Sequence, residues 1–291
     1  MAIPNTRLIR AREGWAPPKI TSIAIGYART TDVLEILTSQ SFDSLTSFSW
    51  CGSFGEAFST PSSPVAIRGL RELSCLGMAS SYLSELFTSV TLPAITSIEI
   101  GEHRAGKDWK DETPLVALLE RSKPPLRRLK FNFQNSRVAV EKVVHILRVC
   151  PDLTHLEVWV HCGFVGGLLD RLTITDKDDD QGVLVPKLAH LRLHELLNSS
   201  DAPWSKEMQE QIVCMAESRS SDAAHLTAIS PLRALRVSAS MLTFGISGLD
   251  IVYEEEKREF DRDAGLEARV HRLIEEGTEC SLAWISHSLN G

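Results

Sequence analysis

Cys150-Pro151-Asp152-Leu153-Thr154-His155-Leu156-Glu157-Val158-Trp159 is the stretch that decides the fold. Pro151 cannot continue a helix, so it closes the segment before it, in which Val140, Val143, Val144 and Leu147 recur on one helical face. Leu153, Leu156 and Val158 then follow as apolar-x-x-apolar-x-apolar. Glu157 stands between the last two, the period-two alternation of a strand with one covered face and one wet face. Helix, stop, turn and strand are thus packed into one short unit.

The same pattern returns along the chain. Its eight instances are Ile20/Ile23/Ile25, Leu45/Phe48/Trp50, Leu70/Leu73/Cys75, Ile95/Ile98/Ile100, Leu126/Leu129/Phe131, Leu153/Leu156/Val158, Leu188/Leu191/Leu193 and Leu232/Leu235/Val237. Steps between first residues are 25, 25, 25, 31, 27, 35 and 44. The first five lie near the ~20–29 residues of a leucine-rich repeat, and the last two imply inserted loops. Helical signals fall between strands: Tyr82, Leu83, Leu86, Phe87 and Val90 before Pro93; Thr113 as N-cap with Pro114 at the first helical position, ending at Lys123-Pro124-Pro125; Ser136 as cap of the Val140 segment; Ser205 as cap of a segment facing Met208, Ile212, Met215 and Ala216 inward.

Eight β/α units also suit a closed (β/α)₈ barrel, whose active site would gather near His103, Asn132, Trp159 and His194. Strand polarity argues against it. Strands covered on both faces read as continuous Val/Ile/Leu, whereas Glu72, Glu99, Lys130, Glu157, Arg192 and Arg236 occupy strand centres here. The expected fold is α/β: an open leucine-rich-repeat solenoid, or horseshoe, of about eight irregular repeats, with a parallel concave sheet and helices on the convex side. Residues 20–251 form the solenoid, 1–19 an N-terminal extension or cap with Trp15, Pro17 and Pro18, and 252–291 a C-terminal helical cap. In the last, Leu266, Val270, Leu273 and Ile274 make an apolar stripe ending at Gly277, and Gly248 to Tyr253 form an irregular ninth strand.

Composition narrows the function. Thirty-one Lys+Arg against 38 Asp+Glu give a net charge of −7, which offers no general footprint for nucleic acid. No apolar run approaches a membrane span and the N-terminus lacks a secretory core, so the chain is expected inside the cell, cytoplasmic or nuclear, with no membrane partner. The six cysteines have no C-x-x-C spacing and are expected to be reduced and mostly buried.

Several segments resemble the leucine-rich-repeat region of fungal, especially basidiomycete, F-box proteins. They are Leu118-Leu119-Glu120-Arg121-Ser122 leading into Pro125-Leu126-Arg127-Arg128-Leu129, Cys150 to Val158, Leu184-Val185-Pro186-Lys187-Leu188-Ala189-His190-Leu191, Met215-Ala216-Glu217-Ser218-Arg219 and Gly248-Leu249-Asp250-Ile251. The resemblance covers about residues 114–251, and 20–113 more weakly. It implies the part of a ubiquitin-ligase subunit that chooses the protein to be modified. A helical F-box is not found: Met1 to Ile20 is too short for it. The Asn or Cys that closes a regular repeat is absent too, with Ser53, His103 and His161 among the residues there.

Alternation assigns the wet face. Its first half presents mostly small residues from Ser22 to Leu76, with Glu72 among them, then Ser97 and Glu99; its second half presents Arg128, Lys130, His155, Glu157, Trp159, His190, Arg192, His194 and Arg236. Lys130, Glu157, Arg192 and Arg236 form one row of three cations and one carboxylate, fit for an acidic or phosphorylated peptide, with Trp159 as aromatic anchor. The expected function is non-catalytic protein recognition; a stand-alone scaffold without a ubiquitin role and a barrel enzyme are the alternatives. No cofactor or metal is implied. His155 and His190 lack a third ligand, and His161-Cys162 has nothing to orient it. Gly163 to Gly167 lacks nucleotide-binding spacing and reads as a turn, and Asp176 to Asp180 reads as a solvated loop.

Overall fold

Parallel strands need a crossover between them, and right-handed crossovers put every helix on one side when the strands are laid down in order. The computed structural model lays nine parallel strands down in chain order, with helices between most of them. It describes residues 19–39, 44–53, 63–102, 111–133, 138–161, 163–175, 182–198, 205–220, 229–242, 255–258 and 264–287. The elements are β1 (Ser22–Ala28), α1 (Thr30–Thr38), β2 (Ser47–Ser53), β3 (Val65–Ala66), β4 (Glu72–Met78), α2 (Ser80–Ser89), β5 (Val90–Thr91), β6 (Ser97–Glu102) and α3 (Thr113–Ser122). They continue with β7 (Arg128–Asn132), α4 (Val140–Arg148), β8 (His155–His161), α5 (Phe164–Leu172), β9 (His190–Asn198), α6 (Lys206–Ser218), β10 (Ala234–Leu242), β11 (Glu255–Arg258), α7 (Ala264–Glu275) and β12 (Glu279–His287).

Ten strands make one sheet in the order β1-β2-β4-β6-β7-β8-β9-β10-β12-β11. Every pair is parallel except the last, β11 with β12. The sheet is open, with β1 and β11 at its ends, so the fold is α/β without a closed barrel. β3 and β5 form a separate two-stranded parallel sheet.

The repeat sets the register. Ile23, Phe48, Leu73, Ile98, Leu129, Leu156, Leu191 and Leu235 stand opposite one another in sequence, as do the residues two places on. Together with the apolar helix faces they form one continuous core. The end unit is less covered: Ile20 is 42% exposed, whereas its counterpart Leu45 is 2% exposed.

Each unit is keyed to the next by one carbonyl that accepts two successive amides. Thr46 O takes the Arg71 and Glu72 amides at 2.8 and 2.9 Å, and Thr96 O, Arg127 O, Thr154 O and Ala189 O repeat the geometry. Helix ends are tied across units by the arginine and serine of the Glu120-Arg121-Ser122 and Glu217-Ser218-Arg219 segments. Arg121 donates to the carbonyls of Phe87 and Val90, and Ser122 Oγ accepts from the Leu92 amide. Arg219, fully buried, donates to the carbonyls of Leu172, Leu184 and Val185, while Ser218 Oγ accepts from the Ile174 amide. An arginine spent on carbonyls at a helix end answers the unpaired acceptors left there.

Differences from the sequence reading have local causes. Gly163 to Gly167, read as a turn, contributes the first turns of α5; a Cβ on Gly166 or Gly167 would lie 3.0 Å from Met208 Cε or Val140 Cγ2, so these glycines let α5 pack closely between its neighbours. α3 is capped one residue earlier than expected, at Glu112, and Asp111 accepts from the Thr113 amide. Ser205 caps α6 as expected. The C-terminal segment, read as a helical cap, does carry α7, closed by Gly277 at φ +93°, but also adds β11 and the ninth parallel strand β12. Residues 248–254, Ser136, Trp15, Pro17 and Pro18 lie outside the described residues.

At the ends of β1, β2 and β4, Tyr27, Gly52 and Gly77 share one left-handed turn position, with φ of +51°, +75° and +67°. Tyr27 lays its ring on Gly52, where an added Cβ would meet it at 2.8 Å. Gly52→Ala should therefore cost about 1–3 kcal/mol in urea unfolding. Gly26→Ala, with only Cys51 O at 4.0 Å and no left-handed backbone, should stay within ~0.5 kcal/mol of wild type.

Candidate recognition surface

The face not covered by helices is built from the first, third and fifth positions of the strands, and register fixes which side chains meet. Arg128, His155, His190 and Ala234 stand in one row, with Glu72 and Ser97 before them and Glu279 after. Glu99, Lys130, Glu157, Arg192 and Arg236 form the next row, and Asn132, Trp159, His194 and Ser238 the third. All nine residues singled out in the sequence lie on this face. Over the first two rows runs a groove of about 390 Å³.

Glu157 is the hub. Its Oε1 accepts the Trp159 indole N–H at 2.6 Å and lies 3.4 Å from Lys130 Nζ and 3.9 Å from Arg192 Nη1. Lys130 Nζ also reaches Glu99 Oε1 at 3.0 Å, and Ser74 donates to the other Glu99 oxygen at 2.9 Å. Partial burial pulls the Lys130 pKa down, but the Glu99 hydrogen bond and the charge of Glu157 outweigh it, so the ammonium is held above its ordinary range. Lys130 and the Arg192 guanidinium lie 5.8 and 5.5 Å from the Trp159 ring centroid, an arrangement that holds the indole between two cations.

Pairing extends to the other cations. Arg128 reaches over the short Ser97 to Glu72 at 2.8 Å, and Arg236 pairs with Glu279. The row read as three cations and one carboxylate is thus balanced once its neighbours are included: Arg128, Lys130, Arg192 and Arg236 face Glu72, Glu99, Glu157 and Glu279. Only Glu157 was named as a partner from the sequence. Glu72 and Glu99 were legible on the face by alternation; their pairing across strands was not.

His194 is 5% exposed, covered by Trp159 at a ring separation of 4.2 Å, with Nδ1 2.7 Å from Ser238 Oγ. His155 and His190 stack at 4.1 Å with an interplanar angle of 9°. The Thr154 hydroxyl donates to Arg127 O at 3.1 Å, which assigns the proton of its 2.8 Å contact with His155 to the imidazole Nδ1. Among the described residues no group of three or more His, Cys, Asp or Glu is placed to hold a metal ion.

The inward face carries a further buried carboxylate that the sequence reading passed over. Glu195, 2% exposed, accepts from the Gly163 amide at 2.8 Å, where its charge favours the N-terminus of α5. Burial pushes the Cys75 and Cys150 thiols up to about 12, with Glu99 adding to the shift at Cys75, so both are inert at neutral pH. Cys51 and Cys214 are exposed, against the expectation of mostly buried cysteines. His103, His161-Cys162 as a pair and Asp176 to Asp180 fall outside what is described.

Comparison of the chain with known protein families, with curated proteins and with solved structures finds no match. No described helix is long and apolar enough to cross a membrane.

Burial, His190 and Arg128 together hold His155 below the ordinary imidazole range. The unfolded chain therefore takes up this proton at higher pH than the folded one, and stability falls as pH drops from 7 toward about 5. In His155→Gln this part of the slope should vanish, as measured by urea unfolding at the two pH values. An unchanged slope would show that His155 does not resist protonation.

Proposed function

We propose that the chain is a non-catalytic recognition module: a leucine-rich-repeat solenoid whose uncovered sheet face binds a protein or peptide. The observation that carries this reading is the convergence of Lys130, Arg192 and His194 on the half-buried Trp159, in register on neighbouring strands above a continuous core. A rigid aromatic between two cations offers apolar area with little conformational cost, the character of binding hot spots. Strands laid down in order, each touching only its neighbours, support the repeat architecture.

An acidic or phosphorylated ligand would have to compete with Glu99, Glu157 and Glu279 for the cations of the row. The face therefore suits a partner of mixed charge that exchanges pairs with Glu157 and Arg192 while packing on Trp159. The resemblance to F-box relatives supplies the wider context, selection of a protein for ubiquitination. A stand-alone scaffold is separated from it by affinity purification scored for a ligase adaptor and cullin. The barrel-enzyme alternative is set aside, because the sheet is open.

A partner recovered with the wild-type chain and then purified should bind Trp159→Ala/Arg192→Ala at least ~30-fold more weakly, the loss typical of two hot-spot residues, with unchanged circular dichroism. Undiminished affinity of the folded variant would overturn the assignment of this face.

A further inference from the structure

The edge at which the strands begin differs in charge from the face beside it. Thr46, Arg71, Thr96, Arg127, Thr154, Ala189 and Arg233 stand in one column, since each carbonyl takes the amides of the following unit. Three arginines therefore share an edge, separated by short Thr and Ala side chains. All three are exposed, and among the described residues none makes an ion pair. This contrasts with Arg128, Lys130, Arg192 and Arg236, each of which has a carboxylate partner.

The turns leading into β4, β7, β9 and β10 add Arg68, Lys123 and Lys187. Segments 67–71, 123–127, 184–189 and 229–233 hold no carboxylate; Asp152 in the turn before β8 pairs with Lys187. Between Arg127 and Lys187 opens a concavity of about 650 Å³, walled also by Thr96, Pro125, Arg128, Thr154 and His155 and by Asp152, the partner of Lys187. The Thr96 and Thr154 hydroxyls donate to the carbonyls of Arg71 and Arg127. In a chain of net charge −7 this is a local reversal of sign.

We propose that this edge docks an extended acidic segment of another protein, whose carboxylates pair with Arg71, Arg127 and Arg233. From β4 to β10 the sheet order makes five steps, which at ~4.8 Å each span ~24 Å, the length of about seven extended residues. Arginine pairs carboxylates in a bidentate way, and side chains spaced along an extended peptide can reach successive arginines. Nucleic acid fits less well. None of the four segments holds an aromatic residue on which a base could stack, and a long polyanion would meet the acidic remainder of the molecule. This surface borders the uncovered face at Arg128 and His155 and does not require a ligand on Trp159.

Fluorescence anisotropy tests the proposal with the full chain and a labelled peptide of about eight residues rich in Asp and Glu. The comparison ligands are a neutral peptide of equal length and a single-stranded oligonucleotide of equal charge. The acidic peptide should bind, weaken as salt rises from about 50 to 200 mM, and lose at least ~10-fold in affinity to Arg71→Glu/Arg127→Glu/Arg233→Glu. Arg192→Glu on the uncovered face should leave it unchanged. Circular dichroism checks folding, and the Arg→Gln triple variant gives the same reading should charge reversal disturb the fold. The proposal is overturned by no peptide binding, by equal binding of the folded triple variant, or by tighter binding of the oligonucleotide.

Discussion

One carbonyl taking two successive amides from the next unit is the interaction on which the rest of this molecule depends. It recurs from Thr21 to Ala189 and fixes the register of every parallel pair it joins. Side chains alternate with period two, so a slip of one residue would send Leu129 and Phe131 into water and Arg128 and Lys130 into the core. The hydrogen bonds specify the register and the apolar columns make any other costly. Phe48, Trp50, Phe131 and Leu193 are all at most 1% exposed within one core that joins strands to helices.

The same register that buries one face composes the other. Charges on neighbouring strands come within pairing distance without any turn to bring them there, and the uncovered face neutralises itself through Glu72, Glu99, Glu157 and Glu279. Along the starting edge, short residues separate Arg71, Arg127 and Arg233, and among the described residues these three make no ion pair. Two surfaces of different electrical character thus follow from one repeat, because residue position within the unit decides which neighbours a charge can reach.

Most of this was readable in the chain. All eight apolar triplets fall on strands or the turns before them, and the row Lys130, Glu157, Arg192, Arg236 is in register as alternation required. The ninth parallel strand escaped notice because register places Gly277 at its first apolar position, where the residue serves instead to end α7; Cys280 and Leu282 occupy the other two. α5 was missed because Gly166 and Gly167 lower helix propensity, a local cost accepted for close contact with Met208 and Val140. The Glu72 to Arg128 pair spans two strands and depends on Ser97 being short, which no pairwise pattern conveys. The exposed edge column was open to counting in the sequence, but that its arginines make no ion pair among the described residues needed the structure.

Amide hydrogen exchange resolved by residue measures the keying of the units most directly. Amides of Glu72, Ser97, Arg128, His155, His190 and Ala234 should be protected together, with those of Ser47 at the β1 end exchanging sooner. Free exchange at these amides of the central units would contradict the register and everything built on it.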